Sequence, residues 1–221
     1  MYSPSEDKQN YSITIFVDSM DSWIIPWAKK IREILSRYHH TDICHNKDDI
    51  REGDFNFLLG CTGLLEKKHL DLNTHNLVIH ESSLPQGKGW SPLSWQVLEG
   101  KNEIPVILFE AAEELDAGQI YLRETISLEG NELLPEIKIK QGLKTMELVF
   151  QFLETFPEIM PSPQKGTGTF YPKRTHEDDK LDIHQSIAQQ FNHLRIMDNE
   201  KHPAWFEING KKFKIKIYNY L

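Results

Sequence analysis

Long apolar runs are missing from this 221-residue chain. No stretch approaches the roughly 20 residues needed to cross a bilayer. The opening MYSPSEDKQN has neither the basic head nor the apolar core of a secretory signal, so a cytoplasmic protein with no membrane partner is expected. Cysteine is scarce: Cys44 and Cys61 are too few and too isolated for a disulfide framework or a Cys-based metal site, and both read as buried reduced thiols. Positive charge is also short, with 25 Lys and Arg against 33 Asp and Glu and a net charge of −8. That balance argues against a nucleic-acid partner held through its phosphates. The one basic cluster, Lys211, Lys212, Lys214 and Lys216, alternates with apolar residues as the solvated side of a strand does. Internal repeats and low-complexity tracts are absent as well.

What remains is the make-up of an ordinary globular protein, 39% hydrophobic and 26% charged. The length suits one well-cored domain with a small appendage. Ser12 to Val17 is apolar and β-branched and reads as a first buried strand, with Asp18 to Ser22 as the turn after it. Trp23, Trp27, Ile31, Ile34, Leu35 and Tyr38 then recur at helical spacing, with Pro26 in the first turn. Further strands are expected at Phe55–Gly60, Leu77–Ile79 and Val106–Phe109. A short helix is expected between Ser91 and Gly100, and a longer one from Gly142 to Phe156. Such alternation implies an α/β fold, a Rossmann-like, largely parallel sheet with flanking helices.

Composition shifts between Pro157 and Pro172, where Pro157, Pro161, Pro163, Pro172, Gly166 and Gly168 mark a linker or an irregular binding loop. A helical pattern resumes at Leu181, Ile187, Phe191 and Leu194. Two alternating strands around Asn209-Gly210 then make a hairpin. We therefore expect one main domain over residues 1–156 and a C-terminal extension of linker, helix and hairpin over 157–221.

Two segments carry the chemistry. His80-Glu81-Ser82-Ser83-Leu84-Pro85-Gln86-Gly87-Lys88-Gly89-Trp90-Ser91-Pro92 leaves a buried strand for a Gly-rich loop, the place where α/β proteins bind ligands. Taken alone, His80 could as well be a structural histidine bonded to a loop carbonyl. Glu113-Glu114-Leu115-Asp116-Ala117-Gly118 follows another expected strand, so its carboxylates could converge on the same edge. Glu113 and Glu114 read as surface charge in the first instance. Asp116 is wedged between Leu115 and Ala117-Gly118, and a carboxylate set against an imidazole orients the ring for acid–base work.

The pair of motifs, Val78-Ile79-His80-Glu81-Ser82-Ser83-Leu84-Pro85 with Lys88-Gly89 and then Leu115-Asp116-Ala117-Gly118, resembles the folate-dependent formyltransferase family. The run His80 to Gly100, with Gly89-Trp90-Ser91-Pro92, is most similar to the sugar N-formyltransferases of pseudaminic acid biosynthesis. The ending Leu194 to Ala204 resembles the same branch. The resemblance implies that His80 and Asp116 are catalytic, with 10-formyltetrahydrofolate as co-substrate and no metal. It implies a nucleotide-linked amino sugar as acceptor, a UDP-linked 4-amino-4,6-dideoxy sugar in that branch. The methionyl-tRNA branch calls for a larger, basic C-terminal domain. A homodimer stays open as the assembly.

For the cofactor, the resemblance implies the loops after Phe57–Gly60 and Phe109, with Cys61, Thr62, Gly63 and Leu64 on one and Glu113, Leu115 and Asp116 on the other. For the sugar nucleotide it points to Lys88, Gly89 and Trp90 beside His80, and to Lys173, Arg174, Asp198, Asn199 and Glu200 in the tail. A cation pairs with diphosphate, an aromatic plane stacks on a base or sugar, and Asn or Glu reads hydroxyls. Solvated charge accounts equally for Lys173 and Arg174, and a turn or cap for Asp198-Asn199-Glu200.

One departure from the family pattern matters. The family carries an Asn two residues before the catalytic His, where its amide helps hold the developing oxyanion; this chain has Val78, which cannot donate a hydrogen bond. Asn76 is about 13 Å from His80 along a strand, too far to substitute. Protonated His80, the Ser82 hydroxyl and a backbone N–H of the following loop are the candidate donors. Two other readings accompany this one: a ligand-binding protein that keeps the fold without the reaction, and a formyltransferase acting on a different amine.

Overall fold

The computed structural model describes residue 2 and residues 10–220. In chain order the elements are β1 (Ser12–Phe16), α1 (Ile25–Leu35), β2 (His40–Cys44), β3 (Gly53–Leu58), α2 (Lys67–Leu70), β4 (Asn73–His80), β5 (Lys88–Gly89), α3 (Pro92–Leu98), β6 (Glu103–Glu110), β7 (Ile120–Ser127), α4 (Leu134–Thr155), β8 (Phe170–Tyr171), α5 (Phe191–Arg195), β9 (Ala204–Ile208) and β10 (Lys211–Ile215). Six strands form one sheet in the order β2-β1-β3-β4-β6-β7. The first four run parallel, while β6 and β7 are antiparallel to their neighbours. The expected α/β architecture is therefore present, with a β9–β10 hairpin at the C-terminus. No helix among the described residues is long and apolar enough to cross a membrane.

The two faces of the sheet differ. Ile13, Ile15, Phe55, Phe57, Leu77, Val106 and Leu108 point to one side and share a core with Ala28, Ile31 and Leu35 of α1 and Ile137, Leu148, Val149, Phe152 and Leu153 of α4. Helix α1 comes so close to α4 that a Cβ on Gly142 would overlap the Trp27 ring. The other face carries Phe16, Leu58, Val78, Ile107 and Phe109, covered by loops and by α2. By period two, His80 belongs to this second face.

Several expectations need correction. Helix α4 begins at Leu134 rather than Gly142. Its first eight residues bury only Ile137 and Gln141, with Glu136, Lys138 and Lys140 between and around them, so the apolar period is thin there. The tail pattern from Leu181 to Leu194 yields only the five-residue α5. Ile187 is 71% exposed, and the Gln190 side chain bonds the backbone of Asp182 in both directions, a local alternative that competes with helix. Strand β2 has one fully buried residue and β7 two, so neither shows as an apolar run. Both thiols are free and half-buried, and burial pushes Cys44 up to about 11 and Cys61 up to about 12, which keeps them protonated and poor nucleophiles.

Candidate functional site

Strand β4 ends on His80, which is 7% exposed, and the chain then turns through a loop whose Gly87 returns to the ring. His80 Nε2 lies 2.8 Å from the Gly87 carbonyl oxygen. A carbonyl only accepts, so the proton sits on Nε2. The ring stands edge-on to Phe109. Asp116 Oδ2 is 3.9 Å from the same nitrogen, beyond a hydrogen bond but close enough for charge attraction, and it accepts from the Gly89 N–H at 2.9 Å. Gly87 and Gly89 both have positive φ, 73° and 96°. A Cβ on Gly89 would come 2.5 Å from the Tyr171 carbonyl oxygen. The tight backbone path between Gly87 and Gly89 thus holds both members of the pair.

Asp116 reaches His80 by a different route from the one expected. Because β6 runs antiparallel to β4, its last residue, Glu110, lies opposite Leu77, while His80 faces Ile107. The loop after β6 therefore leaves about 10 Å from His80, three residues back along the strand. It returns across the second face of the sheet. Asp116 adopts φ 48°, and a Cβ on Gly118 would overlap the Glu110 carbonyl oxygen, so the loop closes against the end of its own strand.

Hydrogen-bond accounting narrows the oxyanion candidates. The N–H groups of Gln86, Gly87, Lys88, Gly89 and Trp90 are all engaged, by Ser83, Thr169, Asp116 and Tyr171. Ser82 Oγ is buried and has no partner. Buried hydroxyls nearly always have one, so this atom calls for an explanation. Val78 fills the family Asn position with apolar contact, bridging Phe16 and Leu58 on one side and Leu84 and Phe109 on the other. Asn76 is taken up by Asn56 and the Leu70 carbonyl.

The two expected cofactor loops do flank Val78: Cys61 and Ala111 belong to the same apolar patch as that residue. The N–H groups of Thr62 and Gly63, however, are held by Asp18, as is the Thr62 hydroxyl. The exposed residues of these loops are mixed: Thr62, Gly63 and Leu64 on one, and Glu113, Glu114 and Leu115 on the other. Of the expected sugar-nucleotide residues, Trp90 and Lys173 come together, with Lys173 Nζ 4.8 Å from the Trp90 ring centroid. Lys88 is spent bridging to the Leu115 carbonyl and Glu114.

The rest are structural. Arg174 pairs with buried Asp179 and touches Met197. The Asp198 carboxylate caps the N–H groups of Glu200 and Lys201, Asn199 brackets the backbone of Ile217, and Glu200 pairs with Lys216. A turn, an anchor and an ion pair thus occupy the three polar residues expected to read the sugar. Among the described residues no cluster of three metal-ligating side chains occurs.

Residues 35–141, which include both motifs, match the Formyl transferase family. A methionyl-tRNA formyltransferase from Streptococcus pneumoniae is 30% identical over 154 residues, 68% of this chain and 49% of that protein. Over residues 35–141 the chain carries the formyl transferase family's sequence. It spans about half the length of the curated formyltransferases it matches. The same fold recurs in solved structures. Methionyl-tRNA formyltransferase from Clostridium thermocellum superposes with a TM-score of 0.79 at 18% identity, covering 95% of this chain and 93% of that one. A sugar N-formyltransferase from Shewanella gives 0.72 at 13%, covering 95% and 98%. HypX from Aquifex aeolicus, solved with tetrahydrofolic acid, gives 0.76 at 17%, covering 95% and 38%.

Proposed function

We propose that this formyltransferase moves the formyl group of 10-formyltetrahydrofolate onto the amine of a nucleotide-linked amino sugar. The observation that carries the reading is the buried His80–Asp116 pair set beside the apolar patch that contains Val78. Leu64 and Leu115 offer exposed apolar surface on the two loops around Val78, which suits a flat pterin ring. The Trp90–Lys173 pair next to Gly89 suits a base or sugar plane with a diphosphate. A net charge of −8 favours a small acceptor over tRNA.

The acceptor amine attacks the formyl carbon as the free base, making the new C–N bond. The tetrahedral intermediate then collapses as the bond to the folate nitrogen breaks, and the proton shed by the attacking nitrogen passes to the departing one. His80 presents a proton at Nε2. To donate to the developing oxyanion this proton leaves the Gly87 carbonyl that holds it in the free protein, while Asp116 balances charge on the ring and helps return the proton. Purified protein mixed with 10-formyltetrahydrofolate and UDP- or TDP-linked amino sugars should give a product heavier by one formyl group. Absence of product with every amine, alongside folate binding, would instead support the reading of a ligand-binding protein, which the donorless Val78 favours.

Ser82 supplies the remaining donor in this scheme. Ser82→Ala removes a hydroxyl that bonds nothing in the folded chain, so the melting temperature should stay level or rise slightly. Turnover should drop about a hundredfold if the hydroxyl holds the oxyanion. Paired melts and kcat measurements check this, and an unchanged kcat assigns the oxyanion to His80 alone.

A further inference from the structure

The Pro- and Gly-rich segment between α4 and α5 reaches both catalytic loops. Gln164 Nε2 donates to the carbonyls of Asp116 at 3.0 Å and Gly118 at 2.8 Å. Ser162 and Ile120 exchange backbone hydrogen bonds at 2.8 Å just beyond. Farther along, Thr169 Oγ1 accepts from the Gly87 N–H at 2.8 Å, Lys88 N–H donates to the Thr169 carbonyl, and β8 pairs with β5 in parallel. Gly87 is thereby gripped at both ends, its N–H by Thr169 and its carbonyl by His80. One strap thus fixes the peptide that sets the His80 proton and the backbone that carries Asp116.

We infer that Thr169 and Gln164 are positioning residues for the His80–Asp116 pair. Thr169 fixes Gly87 from both sides, its hydroxyl on the N–H of Gly87 and its carbonyl on the N–H of the following peptide, whose own carbonyl keeps the imidazole proton on Nε2. Gln164 holds the Asp116 loop against the ring. Neither touches the reacting atoms. The catalytic half of the inference rests on the formyl-transfer reading, while the tautomer half does not. Without Thr169 Oγ1 the Gln86–Gly87 peptide is released, and rotation about the Gly87 Cα passes that freedom to the next peptide, whose carbonyl selects the tautomer and whose Lys88 N–H still donates to the Thr169 carbonyl. Loss of one supporting hydrogen bond of this kind corresponds to about a tenfold effect.

The test uses the full chain with Thr169→Val, Thr169→Ser and Gln164→Leu. Nitrogen NMR of the histidine rings, assigned with a His80→Asn reference, reports which nitrogen of His80 bears the proton. Steady-state kinetics report kcat and KM. We expect Thr169→Val to shift the His80 signal toward mixed tautomers and to lower kcat about tenfold with KM nearly unchanged. Thr169→Ser should restore both. Gln164→Leu, which keeps the side-chain bulk, should lower kcat without moving the tautomer. If the parent protein transfers no formyl group to any amine offered, the proposed reaction fails and the tautomer measurement alone decides the strap. A Thr169→Val spectrum and kcat identical to the parent's, or a Ser variant no better than Val, overturns the inference. Should Thr169→Val fail to fold, an unaltered kcat in Gln164→Leu overturns it equally.

Discussion

Replacing His80 by Asn should reduce formyl transfer by on the order of a thousandfold or more, since the variant loses both the proton at Nε2 and the ring that Asp116 supports. Stability should change far less. The imidazole makes one hydrogen bond, to Gly87, and Asn is too short to keep it. An orphaned, partly buried carbonyl costs about 1–2 kcal/mol, or a few degrees in melting temperature for a chain of this size. Single-turnover formation of the formylated product, alongside a thermal melt, separates the two effects. A variant that keeps more than a tenth of the parent rate would remove His80 from the mechanism. So would a rate loss that merely tracks unfolding.

Gly118→Ala should be nearly as damaging by a purely steric route. The added methyl has no space to occupy, because the Glu110 carbonyl oxygen fills it. That carbonyl belongs to the last residue of β6, whose N–H is bonded to Gln119 across the same loop. Either the loop lifts from the strand end or the strand end gives way. Both shift Asp116, which sits two residues earlier in a left-handed conformation. We expect turnover to fall about a hundredfold and stability by about 2–3 kcal/mol, several degrees of melting temperature. Hydrogen exchange should show the damage confined to the end of β6 and the loop after it. A variant with the parent's rate and melting temperature would mean that the loop does not depend on this close approach.

Much of the sheet is readable from the sequence because buried strands declare themselves. Ser12 to Val17 and the runs in β3, β4 and β6 are apolar for the plain reason that both faces are covered. Strands β2 and β7 escape such reading, since each is largely polar at the margin of the sheet. His80 and Asp116 stand out through motif spacing, and the fold brings them together. The reversal of β6 is invisible, because an apolar run carries no sign of direction. Asp198, Asn199 and Glu200 look like ligands for hydroxyls but meet backbone and Lys216 instead, since short polar side chains serve turns and caps as readily as sugars. Gln164 and Thr169 lie in a stretch read as linker or loop. Only tertiary contacts from about fifty and eighty residues away in sequence reveal what they hold.

The reversal of β6 also divides the freedom to change unevenly across the molecule. In the parallel half every strand is joined to the next by a connection that must cross a face of the sheet, so altering it disturbs the packed layers. The segment carrying Asp116 is instead the tip of a two-stranded antiparallel turn, tied to its own strands, to one strap and to Lys88 and Gly89. Residues can be gained or lost between Ala111 and Leu115 without repacking α1 or α4. Change on the folate side of the proposed site can therefore come from this loop while the layered core stays as it is.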